Sequence, residues 1–174
     1  MYADADFAGD PATQRSTTGV HLCIEGENSH FPLHGVSKRQ DSVSSSTPEA
    51  ELVSGHYAYH KVLLPAMDLW ETLLPTAGKG IFHEDNTARI QVIRTGRNPT
   101  MKHLHRVRRI CVETLHERLG GNDPKDPIQL VYTPSDLMRA DVYTKHMTNK
   151  DKFEHGLRMI GVFPACHLSR HFGK

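Results

Sequence analysis

The hydrophobic pattern of the chain changes its period once, near residue 44, and this change limits the folds that the chain can adopt. Before it, short apolar runs are separated by turn signals, which is typical of strands joined in an antiparallel meander. After it, patterns with helical spacing alternate with two more short strands. This order predicts an α/β chain of one domain, with a five-stranded mixed sheet and helices on both faces of the sheet.

Local signals place the elements along the chain. The first strands are expected at 2–7, 18–24 and 30–36, and Pro32 favours an edge position for the third. A long helix is expected to begin within 44–49 (SSSTPE), which supplies a hydroxyl cap and a proline, and to break or kink at Pro65. The later elements are a strand at 80–85, helices at 86–93 and 103–119, a strand at 128–132 and a helix from 136. We expect the domain to span residues 1–163 and to be followed by a tail over 164–174.

Composition excludes several classes of protein. The chain has 174 residues, is 37% hydrophobic and 24% charged, and carries a net charge of +1, which is ordinary for a globular domain. No apolar run approaches the roughly 20 residues that cross a bilayer, and no secretory signal precedes the first strand, so we expect an intracellular, cytoplasmic protein. Cys23, Cys111 and Cys166 form no C-x-x-C pair, which argues against a zinc ribbon and favours reduced thiols.

Four carboxylates lie at or near the ends of predicted elements: Asp4, Glu51, Asp85 and Asp141. Carboxylates at such positions can converge at one edge of a sheet, and a buried cluster of like charges usually holds metal ions. Oxygen ligands suit Mg²⁺ or Mn²⁺. The competing interpretation is that each acid caps a helix or lies in solvent, since the helix dipole favours acids in a first turn.

A series of short motifs follows the same order along the chain. They are YADADFAGD (2–10), RSTTG (15–19), SKRQ (37–40), SSTPEAE (45–51), DNTA (85–88), KHL (102–104), YTP (132–134) and ADVYTK (140–145). In this order they resemble the ribonuclease H domain of copia-type LTR retrotransposon polyproteins, over residues 2 to about 162. The resemblance implies an RNase H-like fold whose first strand is truncated at its N-terminal end.

The resemblance also implies chemistry. It assigns catalytic and metal-binding roles to four carboxylates, Asp4, Glu51, Asp85 and Asp141. Asp6 is the rival to Asp4, and Glu49 is the rival to Glu51. The implied reaction is hydrolysis of the RNA strand of an RNA–DNA hybrid by a two-metal mechanism with Mg²⁺ or Mn²⁺, leaving a 5′-phosphate.

Basic residues predict the nucleic-acid contact. Between Arg94 and Arg118 the chain holds seven basic and two acidic residues, and a helix can direct basic side chains spaced three apart at one phosphate backbone. The alternative is an ordinary solvated helix face. With the resemblance, the residues expected to contact the hybrid are Asn86, Arg94, Arg97, Lys102, Arg106, Arg109 and Lys145.

The resemblance further implies two partners, the RNA–DNA hybrid and an upstream reverse transcriptase domain of the same polyprotein, in the cytoplasm and within virus-like particles. It implies no membrane and no small-molecule cofactor. Two alternative functions remain at this stage: a nucleic-acid-binding remnant without catalysis, and a structural module that is inert outside a larger reverse transcriptase.

Overall fold

The computed structural model describes residues 1–74, 78–97, 110, 112–121 and 127–164. The strands are β1 (Tyr2–Asp6), β2 (Thr17–Gly26), β3 (Ser29–Arg39), β4 (Gly80–Glu84) and β5 (Ile128–Tyr132). The α-helices are α1 (Thr47–Ala58), α2 (Leu64–Leu73), α3 (Thr87–Thr95), α4 (Val112–Leu119), α5 (Asp141–Thr144) and α6 (Lys150–Met159). Within the described ranges, no helix combines the length and the apolar character that a membrane span requires.

The strands form one mixed sheet in the order β3-β2-β1-β4-β5. The β1–β2 and β2–β3 pairs are antiparallel, whereas β4 runs parallel to both β1 and β5. An antiparallel meander whose first strand continues into a parallel pair is the arrangement of the RNase H-like fold. The predicted fold class is therefore confirmed. β3 is an edge strand, as Pro32 predicted.

Helices cover both faces of this sheet. Because side chains alternate along a strand, Ala3 and Tyr2 of β1 lie on opposite faces. Ala3 belongs to the main core with Leu52 of α1, whereas Tyr2 packs against Ala140, immediately before α5. Asp4 follows Tyr2 by two residues, so it shares the face on which α5 lies.

The start of α1 follows its sequence signal. Ser46 is the N-cap residue, and its hydroxyl oxygen accepts a hydrogen bond of 3.4 Å from the backbone N–H of Glu49. About two turns further on, the hydroxyl of Ser54 donates to the backbone oxygen of Asp4 at 2.6 Å, which fixes α1 on β1. The predicted break near Pro65 takes the form of a π-helical segment (Tyr59–Leu63) between α1 and α2. Pro65 itself lies in the first turn of α2.

Two later predictions need correction or fall outside the described residues. The prediction of a helix from residue 136 is wrong. A 3₁₀ turn (Ser135–Leu137) comes first, and the extended backbone of Met138 (φ −80°, ψ 95°) separates this turn from α5. Of the helix expected at 103–119, the structure describes 112–119 as helical, and 101–109 lie outside the described residues, as do 165–174 of the expected tail.

Candidate active site

Three of the four predicted carboxylates converge in the structure. Asp4 lies on β1, Asp85 follows the last residue of β4, and Asp141 begins α5. One oxygen from each carboxylate lies within 4.8 Å of the others. The parallel strands β1 and β4 end at the same edge of the sheet, and α5 packs across β1 and β2, so three distant parts of the chain meet there.

Glu51, the fourth carboxylate, lies beside this group and is held by a buried arginine. Arg89 of α3 donates to the Glu51 side chain at 3.0 Å and to its backbone oxygen at 2.6 Å. The same guanidinium forms an ion pair with Glu84 of β4. Burial raises the pKa of Glu51 to about 8, Arg89 opposes this, and the charges of Asp4 and Asp85 add to it. Glu51 is therefore close to the other acids, with one oxygen engaged by Arg89.

Sequence reasoning missed Arg89. It is fully buried, although arginine is almost never fully buried unless it is paired. One sequence signal could have indicated a buried arginine. Arg89 lies on the short helix α3 next to the apolar Ile90, a few residues after the acidic end of β4. A charge among apolar helix residues indicates either exposure or a buried ion pair, and only the fold brings Glu51 and Glu84 to it.

Hydroxyl groups and one lysine hold the three converging carboxylates. Thr144 donates to Asp4, and Ser135 donates to Asp85 at 2.7 Å. The ammonium of Lys145 lies 2.7 Å from an oxygen of Asp141 and 3.8 Å from one of Asp4. Lys145, which was predicted to contact nucleic acid, therefore lies within the acidic group and balances part of its charge.

The electrostatics of the group favour a bound cation. Burial raises the pKa of Asp141 to about 6; Asp4 and Asp85 also raise it, and Lys145 lowers it. Although burial opposes it, the negative charges of Asp4, Asp141 and Asp85 raise the pKa of Lys145. Asp141 also keeps one buried oxygen, Oδ1, without a hydrogen-bond partner in the described part of the chain. Carboxylate oxygens with spare acceptor capacity are the type of ligand that hard divalent cations such as Mg²⁺ and Mn²⁺ take.

The two rival acids have other surroundings. Glu49 accepts a hydrogen bond of 3.0 Å from the backbone N–H of Ser45 and so supports the start of α1. Asp6 lies two residues beyond Asp4, outside the three-carboxylate group, and burial together with the charge of Asp4 raises its pKa. The geometry therefore favours Asp4 over Asp6, and it gives Glu49 a part in starting the helix.

The other six residues predicted to bind nucleic acid divide into three sets. Asn86 is the N-cap of α3, where its side-chain oxygen accepts from the backbone N–H groups of Ala88 and Arg89 at 3.0 and 3.1 Å. Arg94 and Arg97, in and just after the last turn of α3, are exposed to solvent. Lys102, Arg106 and Arg109 lie outside the described residues.

The fold and this site define an α/β domain of the RNase H-like class. Its acidic centre lies at the ends of the central parallel strands β1 and β4. No protein-family model and no curated protein matches the chain. Among solved structures, the native crystal structure of the prototype foamy virus protease-reverse transcriptase is similar, with a TM-score of 0.46 and 13% sequence identity. The match covers 94% of this chain and 20% of the viral one, so the chain spans about a fifth of the length of that protein.

Proposed function

We propose that this chain is the ribonuclease H domain of a copia-type retrotransposon polyprotein, and that it hydrolyses the RNA strand of an RNA–DNA hybrid with Mg²⁺ or Mn²⁺. The observation that supports the proposal is the meeting of Asp4, Asp85 and Asp141 at one end of the sheet, with Glu51 beside them. The order of the sequence motifs supports the assignment to this kind of polyprotein.

Each side chain of the centre has a distinct part in this proposal. Asp4, Asp85 and Asp141 hold the cations, and Glu51 contributes the oxygen that Arg89 leaves free. Two divalent cations held there supply the positive charge that activates water and stabilises the leaving 3′ oxygen. The hydroxyls of Thr144 and Ser135 hold Asp4 and Asp85 in fixed orientations, so little reorganisation is needed when substrate binds.

The substrate is recognised through its phosphates. Helix α3 begins directly after Asp85 and Asn86 and ends near the exposed Arg94 and Arg97, so it leads from the acidic centre to a basic surface. A hybrid that lies along α3 places phosphates near these guanidinium groups while its scissile bond faces the carboxylates. Such contacts depend on the shape and charge of the duplex, and they predict little sequence preference and strong salt dependence.

Cleavage of a hybrid with a labelled RNA strand tests the proposal. We expect Mg²⁺- or Mn²⁺-dependent cleavage that EDTA stops and that Asp85→Asn reduces by about a thousandfold or more, since the metal contribution is worth several kcal/mol. Asp68→Asn is the matched control, because it makes the same chemical change at an exposed position of α2. Equal cleavage by the two variants, or cleavage in EDTA, contradicts the proposal.

One observation favours a second function, hybrid binding without cleavage. Lys145 already lies against Asp141 and Asp4, where it neutralises charge without a metal ion. A remnant that binds nucleic acid would be stable in this state. It predicts salt-sensitive binding of the hybrid and no cleavage with either ion, in the wild-type chain and in Lys145→Gln alike.

A further inference from the structure

A second group of potential metal ligands lies on the hairpin formed by β2 and β3. It consists of His21 and Cys23 on β2 and His30 on β3, and one donor atom from each lies within 4.8 Å of the others. His21 pairs with Tyr2 across β1 and β2, whereas Asp4 pairs with Gly19. The group therefore shares the sheet face of the acidic centre but lies toward the opposite end of β1.

An irregularity in the strand pairing creates this group. His21 pairs with Gly35, but the register shifts after Leu22, so that Cys23 pairs with Pro32 and Glu25 with His30. With regular pairing, Glu25 would lie opposite Phe31, and His30 would point to the other face. The extra residue in β3, Leu33, thus turns His30 toward His21 and Cys23.

The two imidazoles have lone pairs to offer. His21 is 1% exposed, and its Nε2 atom has no hydrogen-bond partner among the described residues; the same is true of the buried Nε2 of His30. The other ring nitrogen of His21, Nδ1, lies 3.1 Å from the hydroxyl oxygen of Tyr143. When Nδ1 donates to that oxygen, Nε2 carries the free lone pair that a metal ion would accept, as in metal-ligating histidines.

Gly35 of β3 makes room for the contact between Tyr143 and His21. A Cβ atom at Gly35 would lie 2.5 Å from the Tyr143 hydroxyl oxygen, so the absence of a side chain there lets Tyr143 reach across β3 to His21. Tyr143 belongs to α5, the helix that also carries Asp141. The orientation of His21 is therefore set by the same helix that completes the acidic centre.

The thiol of Cys23 has a cationic neighbour. Arg139 donates to the sulfur at 3.2 Å and to Glu25 at 2.5 Å. Burial raises the pKa of the Cys23 thiol, while Arg139 lowers it. A cation that binds the sulfur displaces its proton to solvent, and Glu25 offsets the positive charge that then accumulates beside Arg139.

We propose that His21, Cys23 and His30 form a binding site for a borderline-soft divalent metal ion of the Zn²⁺ class, separate from the acidic centre. Two imidazole nitrogens and one thiolate are ligands that zinc prefers, and the fourth position is filled from solvent. Ligand atoms on a tetrahedral zinc ion lie roughly 3.5 Å apart, so the ion draws the three side chains together. The bound ion ties the edge strand β3 to β2, and this role does not depend on ribonuclease activity.

Cobalt(II) provides a spectroscopic test with the full-length, reduced chain. A thiolate bound to Co²⁺ gives a charge-transfer band in the near ultraviolet, which carboxylate ligands at the acidic centre cannot produce. We expect this band at one equivalent of Co²⁺, and we expect added Zn²⁺ to abolish it. Cys23→Ser should abolish the band, and His30→Asn should weaken Co²⁺ binding at least tenfold. The double variant Cys111→Ser/Cys166→Ser is the matched control and should keep the band unchanged.

The variants also separate this site from the other sulfur atoms and from loss of folding. Absence of the band in the wild-type chain overturns the proposal, as does a band that persists in Cys23→Ser and disappears in the double cysteine variant. If Cys23→Ser does not fold, His30→Asn decides, because His30 lies on the edge strand and its replacement leaves the sulfur in place. Unchanged Co²⁺ affinity in His30→Asn then rejects the site.

Discussion

The acidic centre and the histidine–cysteine group lie on one face of the same sheet but are built differently. The acidic centre draws Asp4, Asp85 and Asp141 from two parallel strands and a helix that are far apart in the sequence. The histidine–cysteine group comes from one hairpin and depends on a single extra residue in β3. The three ligands of the acidic centre are brought together by the whole fold, whereas those of the hairpin group are brought together by the strand register and are then oriented by Tyr143 and Arg139.

The two groups also differ in how they remain stable without a metal ion. In the acidic centre, Lys145 and Arg89 supply positive charges to carboxylates that would otherwise repel one another. In the histidine–cysteine group, burial lowers the pKa of both imidazoles, and the buried Nε2 atoms of His21 and His30 have no hydrogen-bond partner among the described residues. Without a metal ion, the carboxylates are therefore stabilised by cations of the protein itself, whereas the imidazoles are left with buried lone pairs that accept no hydrogen bond from the described residues. Three predictions test this contrast, and a fourth concerns a histidine outside both groups.

The largest effect is expected on stability, from Arg89→Met. This substitution removes the buried cation beside the acidic centre and leaves the β2–β3 hairpin unchanged. Glu51 and Glu84 would be left buried without their partner, which typically costs about 3–5 kcal/mol of stability. Urea unfolding measures the loss. Arg94→Met on the same helix is the control and should change the stability by less than about 0.5 kcal/mol, because Arg94 is exposed. Equal stability of the two variants would show that the buried ion pairs contribute nothing.

Deletion of Leu33 should affect the hairpin group alone. Removing the extra residue restores regular pairing and turns His30 to the opposite face, so Co²⁺ should bind through Cys23 about a hundredfold more weakly, since even outer partners of metal ligands are worth about 10–100-fold. The near-ultraviolet titration with Co²⁺ measures this change.

The control for this deletion is Leu33→Ser, which keeps the extra residue and should keep the affinity. Mn²⁺ binding at the acidic centre should be the same in both variants. If the deletion leaves the Co²⁺ band and affinity unchanged, strand register does not create the group.

Lys145→Gln should increase the affinity of the acidic centre for Mn²⁺. The lysine ammonium competes with the metal for Asp4 and Asp141, but its side chain is 42% exposed, so solvent weakens the competition. We therefore expect roughly a fivefold gain, equivalent to about 1 kcal/mol, by calorimetric titration. Lys152→Gln, an exposed site on α6, serves as the reference. A Mn²⁺ affinity that stays the same or falls in Lys145→Gln would indicate that the lysine supports the site instead.

The smallest effect concerns acid stability outside both groups. Burial, with the nearby charges of His60 and Lys61, lowers the pKa of His56 to about 4. Between about pH 6.5 and 4 the unfolded chain therefore binds a proton that the folded chain does not, and stability falls as the pH falls through this range. His56→Gln should reduce this loss by about 1 kcal/mol, measured by thermal unfolding at both ends of the range. His34→Gln, at an exposed position of β3, should leave it unchanged; an identical pH profile for all three proteins would exclude His56 as a cause.

The sequence predicted those parts of the molecule that depend on local signals. Ser46 and Asn86 are helix caps, Pro32 marks an edge strand, and Asp85 follows its strand, and each of these could be expected from residue type and neighbours. The convergence of Asp4, Asp85 and Asp141 was predicted from their positions near element ends, together with the family resemblance. Residue type and neighbours were sufficient for the caps and the edge strand because these features involve few residues close in sequence, whereas the convergence of the three distant acids also needed the family resemblance.

Features that depend on exact pairing could not be predicted. Arg89 appeared as an ordinary helix residue, because its partners Glu51 and Glu84 are brought to it only by the packing of α1, β4 and α3. The histidine–cysteine group was invisible because His30 reaches the correct face through a one-residue shift in register that regular alternation does not reveal. Lys145, the C-cap residue of α5, was predicted to contact nucleic acid; only the fold shows that it lies beside Asp4.

Binding of Mn²⁺ to the metal-free protein, followed by electron paramagnetic resonance, tests most directly whether folding gathers these carboxylates into a cation site. The wild-type chain and Asp68→Asn should bind Mn²⁺ with the same affinity. Asp4→Asn and Asp141→Asn, checked for intact folding by circular dichroism, should each bind at least about tenfold more weakly, because each removes a charged ligand. Equal Mn²⁺ affinity in all four proteins, or no binding by the wild-type chain, would contradict the acidic centre as a metal site.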